Sequence, residues 1–166
     1  MDRFVSTYVK KIDAKGRISI PQPFRNVLAA DGFAGQFYCY PSLDNSALDA
    51  GGQRLVDRID GIIEQLLPYS DERDPLATAL FGESEIIKID QDGRAVLPER
   101  LRDHAKITSE VTFVGLGNKF QIWEPETFEN YRKQSRGKMD DLRKLLGAGD
   151  RSDATKRSGG QEGARE

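Results

Sequence analysis

The strongest constraint on this chain is an internal repeat. Ile12-Asp13-Ala14-Lys15-Gly16-Arg17-Ile18-Ser19-Ile20-Pro21-Gln22-Pro23-Phe24-Arg25 aligns without a gap, at a constant offset of 77, with Ile89-Asp90-Gln91-Asp92-Gly93-Arg94-Ala95-Val96-Leu97-Pro98-Glu99-Arg100-Leu101-Arg102. Six of the fourteen positions are identical, and Lys11 and Lys88 extend the match upstream. Agreement at this level marks a duplicated module. A chain of 166 residues has room for one ordinary domain or two small ones, so the fold must be one that a short unit can build twice.

Each copy has the same local logic. A strand leads in, with Val5, Thr7 and Val9 alternating in copy one and Ile86-Ile87-Lys88-Ile89 in copy two. Asp-x-x-Gly follows. The Asp side chain can cap the turn backbone and the Gly tolerates positive φ. A second strand carries Ile18 and Ile20, or Ala95 and Leu97, on one face, and Pro21 or Pro98 ends it. Short helices then begin, Pro23 to Leu28 and Glu99 to His104. Phe37 to Pro41 and Lys119 to Trp123 read as matching closing strands. Copy two has an additional apolar stretch, Val111 to Leu116, where copy one has only Asp31 to Gln36. A sheet one strand shorter is therefore expected in copy one.

Two further helices are expected. Leu55, Ile59, Ile62, Ile63 and Leu66 fall on one helical face. A second helix should start near Pro125 and carry Phe128, Tyr131, Ser135, Met139, Leu142 and Leu146 near heptad spacing, weakened by Gly137. Such stripes read as core or subunit packing. From Gly147 onward almost nothing is apolar, which predicts a disordered tail over 147–166. The expected organisation is a first module over 1–50, a helical linker over 51–82, a second module over 83–126, a helix over 127–146 and the tail.

Bulk properties narrow the class. No apolar run approaches the roughly 20 residues that span a bilayer, and the N-terminus lacks a signal pattern. A soluble cytoplasmic protein without a membrane partner is expected. Cys39 stands alone, which excludes an intramolecular disulfide framework. The net charge of −2 hides an uneven distribution. Residues 1–30 carry six Lys/Arg against Asp2 and Asp13, whereas residues 31–85 carry three basic and eleven acidic side chains. Basic charge thus gathers beside the first repeated loop, as a nucleic-acid contact requires and as a lysine-guarded strand edge would also show.

The paired motifs Asp-x-x-Gly-Arg-Ile/Ala-x-Ile/Leu-Pro, one near the N-terminus and one mid-chain, resemble those of the MraZ family of bacterial transcriptional regulators over residues 1–145. The resemblance implies an α+β fold of two tandem swapped-hairpin β-barrel modules of the AbrB type (SpoVT-AbrB), with linking and C-terminal helices. It further implies binding to repeated G-rich boxes in the promoter of the division and cell-wall gene cluster, assembly into homo-oligomeric rings, and association with the nucleoid.

The candidate DNA-binding residues follow from the loops. Arg17 and Arg94 succeed the turn glycines, where a guanidinium can fork onto guanine O6 and N7 in the major groove. The plainer alternative is that each arginine pairs with Asp13 or Asp90 and only fixes the turn. Lys15, Lys10 and Lys11 are expected on phosphates. Asp92 replaces Lys15 in copy two, so that loop should bind more weakly by itself. Gly16 and Gly93 are conformational. Arg25 and Arg102 admit phosphate contacts or bridges between modules, the structural role being favoured. Trp123 and Tyr40 read as core or interface aromatics, and Asp71-Glu72-Arg73-Asp74 as a solvated loop. His104 and Cys39 make no metal-ligand pattern, and no nucleotide-binding or hydrolase motif is present. No catalytic set, metal, cofactor or small-molecule substrate is therefore expected. The alternatives are an AbrB-type antitoxin or transition-state regulator, and a ring-forming scaffold without sequence-specific DNA binding.

Overall fold

The repeat builds its two copies into each other. In the computed structural model the backbone is described for residues 2–162 and the side chains for 2–147. Copy one contributes β1 (Thr7–Lys11), β2 (Arg17–Ser19), α1 (Gln22–Ala30), β3 (Gln36–Pro41) and β4 (Leu48–Gly51). After α2 (Gln53–Glu64), α3 (Arg73–Ala77) and a π-helical turn (Thr78–Gly82), copy two contributes β5 (Glu85–Lys88), β6 (Arg94–Val96), α4 (Glu99–His104), β7 (Glu110–Gly115) and β8 (Phe120–Trp123). A long helix, α5 (Pro125–Glu162), follows.

Six strands form one antiparallel sheet in the order β1-β7-β8-β4-β3-β5, and β2 pairs with β6 in a separate ribbon. Exchanging the copies turns β1 into β5, β3 into β7 and β4 into β8, and the order then reads the same from the opposite edge. β1 of copy one pairs with β7 of copy two, and β5 of copy two with β3 of copy one. The leading strands are thus exchanged between copies, and residues 2–128 fold as one unit rather than two separate bodies. Neither copy could bury its apolar face alone, and sharing one core removes that deficit.

The α+β class stands, but the β-barrel is not closed. β1 and β5 remain edges of the six-stranded sheet. Among the described residues, isolated bridges from Ile12 to Ile18 and from Ile89 to Ala95 lie between it and the ribbon. β2 and β6 are three residues long because Pro21 and Pro98 terminate them.

Copy one is not a strand short either. Its closing strand is β4, Leu48–Gly51, so Phe37 to Pro41 corresponds to β7 rather than β8. The expectation failed because Leu48-Asp49-Ala50-Gly51 has no β-branched residue and an Asp in its middle. Partners far away in sequence make that Asp tolerable. Asp49 Oδ1 accepts from Gln121 Nε2 at 2.7 Å and Oδ2 from Lys119 Nζ at 3.0 Å, while Trp123 Nε1 donates to Gln121 Oε1 at 2.9 Å. A buried carboxylate is stable only when so partnered. Tyr40 and Trp123 are both buried, as core aromatics.

The apolar side of the sheet packs on a cluster of rings around Phe24 of α1. Phe4, Tyr8, Phe113 and Phe120 all lie within 6.2 Å of its ring centroid. Leu101, its counterpart in copy two, is also fully buried. On α2, Leu55, Ile59 and Ile63 are buried and Ile62 is exposed. The Tyr38 hydroxyl of β3 donates to the Leu80 carbonyl within the π-helical turn of the linker. Asp71, Glu72 and Asp74 are exposed, although Arg73 and Asp74 open α3.

Within α5, Phe128 is buried beside Trp123, whereas Met139, Leu142 and Leu146 are exposed. From Glu129 the helix is a unit of its own. It runs through 147–162, most of the stretch where composition predicts a disordered tail, and 163–166 lie outside the described residues.

Candidate nucleic-acid interface

Each Asp-x-x-Gly-Arg segment folds into the same turn. The Gly16 amide donates to the Asp13 carbonyl at 3.0 Å, and the Gly93 amide to the Asp90 carbonyl at 3.0 Å. Asp13 Oδ1 accepts the amides of Lys15 and Arg17, both at 2.9 Å. Asp90 Oδ1 likewise accepts those of Asp92 and Arg94. The turns need a residue at positive φ in fourth place, and Gly16 (φ 81) and Gly93 (φ 78) supply it.

Those amide bonds set the electrostatics. The Arg17 amide, then the Arg17 side chain, holds the Asp13 carboxyl below the ordinary carboxylate range. Asp90 is lowered first by the Arg94 amide, and the charge of Arg17 also reaches it. Loop two therefore senses a charge of loop one.

The ribbon explains that proximity. In it Arg17 is the register partner of Val96, and Arg94 of Ser19. Beyond the ribbon, the Ile20 amide donates to the Gly93 carbonyl at 2.9 Å and the Leu97 amide to the Gly16 carbonyl at 2.8 Å. Each loop is thus tied by backbone bonds to the strand end of the other copy.

The arginine side chains differ. Arg17 Nε donates to Asp13 Oδ2 at 2.7 Å, and neither Nη atom makes a hydrogen bond among the described residues. The Nη edge of the guanidinium stays open. Arg94 instead places Nη2 at 3.4 Å from Asp92 Oδ2, and its Nε is buried without a partner among the described residues. Both side chains are partly exposed, at 38% for Arg17 and 40% for Arg94, so they remain available to a ligand.

Of the remaining sequence candidates, Lys15 is exposed on the loop. Lys10 and Lys11 lie on β1 leading into it, Lys10 half-buried and Lys11 exposed opposite Glu110. Arg25 and Arg102 sit behind the loops. Arg25 Nε donates to the Ile20 carbonyl at 3.2 Å, and its Cζ lies 2.8 Å from where a Cβ on Gly93 would stand. Arg102 Cζ lies 3.2 Å from the same point on Gly16. Sequence reasoning missed these Gly–Arg contacts, although all four residues are identities of the repeat. The signal was there, but its partners cross between copies.

Other chemistry is sparse. Among the described residues no group of three or more His, Cys, Asp or Glu could hold a metal ion, and no helix is long and apolar enough to cross a membrane. Cys39 is buried, and its thiol is pushed up by that burial.

The family model described as "MraZ protein, putative antitoxin-like" matches residues 80–145. A transcriptional regulator MraZ of Xanthobacter autotrophicus is 55% identical over 148 residues, covering 89% of this chain and 94% of its own length. The protein of the same name from Methylocella silvestris is also 55% identical over 148 residues, with 89% and 90% covered. That of Pelagibacter ubique is 42% identical over 137 residues, with 82% and 88% covered. Identity of this order over most of both lengths shows that the chain belongs to the MraZ family.

Proposed function

We propose that the chain is a sequence-specific DNA-binding transcriptional regulator that reads base edges with Arg17 and Arg94. The observation that carries this reading is the pairing of Arg17 through Nε alone. Asp13 then aims the guanidinium while its two Nη groups stay open to fork onto guanine O6 and N7. Asp13 and Asp90 act as orienting groups, Gly16 and Gly93 shape the turns, and Lys15, Lys10 and Lys11 serve phosphates. The name its relatives carry, transcriptional regulator, supports the reading.

The family resemblance extends the proposal to repeated G-rich boxes in the promoter of the division and cell-wall gene cluster, to a cytoplasmic, nucleoid-associated protein and to a homo-oligomeric ring. Several loops would then engage one promoter together, and multivalency would multiply each contact. The words antitoxin-like in the family description keep an antitoxin as the second reading.

Shift assays with the promoter fragment test the proposal, using variants whose assembled size by light scattering equals that of the unaltered protein. Arg17→Ala should cost about 1–3 kcal/mol of discrimination at one guanine of each box. Arg94→Ala should cost less, because Asp92 already occupies its Nη2. A double variant that still separates its operator from scrambled DNA would leave the loops as structural turns and favour a scaffold.

A further inference from the structure

We infer that Arg25 and Arg102 are positioning residues wired crosswise: each holds the reading loop of the other copy. The inference rests on the proposed function for its DNA consequences but not for its geometry. The Arg102 guanidinium lies against Gly16, and the Arg25 guanidinium against Gly93. The repeat maps Arg25 onto Arg102 and Gly16 onto Gly93, so these are one contact made twice. A flat guanidinium can pack this closely on a backbone only where no Cβ intervenes. A Cβ built on Gly93 would meet Arg25 Cζ at 2.8 Å, and one built on Gly16 would meet Arg102 Cζ at 3.2 Å. The glycines therefore have two duties, the turn at positive φ and the seat for an arginine.

Each brace stands on its own helix and reaches over the ribbon. Arg25 projects from the first turn of α1, and its Nε donates to the Ile20 carbonyl at the end of its own strand segment. The Ile20 amide in turn donates to the Gly93 carbonyl. Gly93 is thus gripped by a backbone bond from Ile20 and by the guanidinium that Ile20 anchors. Gly16 has the matching backbone bond from Leu97, but Arg102 Nε makes no hydrogen bond among the described residues. Arg102 is accordingly the looser brace. The loops compensate in opposite directions. Loop 13–17 has its own bond between the Asp13 and Arg17 side chains, whereas Asp90 takes the Arg94 amide and, among the described residues, no bond joins the side chains of Asp90 and Arg94. Loop 90–94 depends more on its brace, and it has the firmer one.

Charge alone does not explain this arrangement. A lysine carries the same charge to a phosphate but has no planar face to lay on a glycine. The test therefore compares Arg25→Lys, Arg25→Met, Arg102→Lys and Arg102→Met in the full chain. Amide hydrogen exchange is read at residues 15–17 and 92–94 without DNA. Arg25→Lys should speed exchange severalfold at 92–94 and leave 15–17 unchanged, while Arg102→Lys does the reverse to a smaller extent. Faster exchange in the loop of the same copy, in both loops equally, or in neither overturns the crosswise brace.

The DNA arm separates positioning from phosphate contact. Arg25→Met and Arg25→Lys should both lose the base preference that Arg94→Ala loses, with the Arg17 position kept. Rescue by Arg25→Lys, with a salt dependence flattened by about one unit of slope only in Arg25→Met, would mark a phosphate contact and overturn the inference. If Arg17→Ala and Arg94→Ala themselves keep full base preference, the proposed function falls, and the exchange pattern alone decides the brace.

Discussion

Loop one, Asp13 to Arg17, and loop two, Asp90 to Arg94, have the same backbone and different side-chain wiring. In both, the aspartate collects two amides and a glycine turns the chain. In loop one the aspartate also takes Nε of the arginine at 2.7 Å; in loop two the arginine turns to Asp92 at 3.4 Å. The loops differ at their second and third positions, Ala14 against Gln91 and Lys15 against Asp92, and the third supplies the new partner. Duplication preserved what the turn requires, while one exchanged residue redirected the arginine. The turn is thus specified by Asp and Gly alone, and how far the arginine is pre-aimed depends on its neighbour.

Substituting the two glycines is the harshest way to break the likeness. Alanine at either site must adopt a left-handed conformation, at a cost of about 1–2 kcal/mol. The surroundings then separate the loops. A Cβ at position 16 would stand 3.1 Å from the Leu97 carbonyl, which is backbone and whose residue is tied to Gly16 through the Leu97 amide. A Cβ at position 93 would meet first the end of the Arg25 side chain, which can swing away. Gly16→Ala should therefore lower the thermal midpoint more than Gly93→Ala. Gly93→Ala should reproduce the fast loop exchange of Arg25→Lys. Equal midpoints, with slow exchange at 92–94, would mean that the guanidinium contributes nothing to holding the loop.

Legibility in the sequence followed the range of the interactions. The two turns, the short helices and the prolines that end β2 and β6 are set by residues within a few positions of each other, and all could be read. The exchange of β1 and β5 between copies could not be read from local pattern, because it depends on which core each strand finds. β4 was missed for the same reason, since Asp49 is acceptable in a strand only with Lys119 and Gln121 beside it. At the candidate site the repeat identified Arg17, Arg94 and their aspartates. It also contained Arg25 and Arg102, but their glycine partners lie in the opposite copy and no spacing rule connects them. The redirection of Arg94 toward Asp92 is not set by spacing, because Asp90 and Asp92 are both within reach of it.

Exchanging the third loop residue sharpens the comparison with a smaller effect. Asp92→Lys removes the partner of Arg94 Nη2 and adds a cation where loop one has Lys15. DNA binding should tighten and its salt dependence steepen by about one unit of slope. The preference at the Arg94 position should rise toward that at the Arg17 position. Lys15→Asp should weaken binding to all sequences alike and flatten the salt dependence correspondingly. Should Asp92→Lys change affinity without changing base preference at the Arg94 position, the Asp92 contact does not restrain that arginine, and loop two is weak for another reason.

The smallest effect is expected in acid. Asp13 and Asp90 both have folded values below the ordinary carboxylate value of about 4. Depressed carboxylates contribute stability that is fully present above the unfolded value and lost as the pH falls through the folded one. Asp13→Asn and Asp90→Asn should each flatten the decline of stability below about pH 4 and leave its pH dependence near neutrality unchanged. The arginines then distinguish the loops. Arg17→Ala keeps the amide that lowers Asp13 most and removes the side-chain bond that lowers it next. Arg94→Ala keeps the amide that lowers Asp90 most and removes only a nearby charge. The Asp13 carboxyl should therefore rise further toward its ordinary value than the Asp90 carboxyl does, as read by carboxyl-carbon NMR titration of the two alanine variants. Equal rises, or a larger one at Asp90, would mean that Arg94 swings over to Asp90 in solution, and the two loops would then be wired alike.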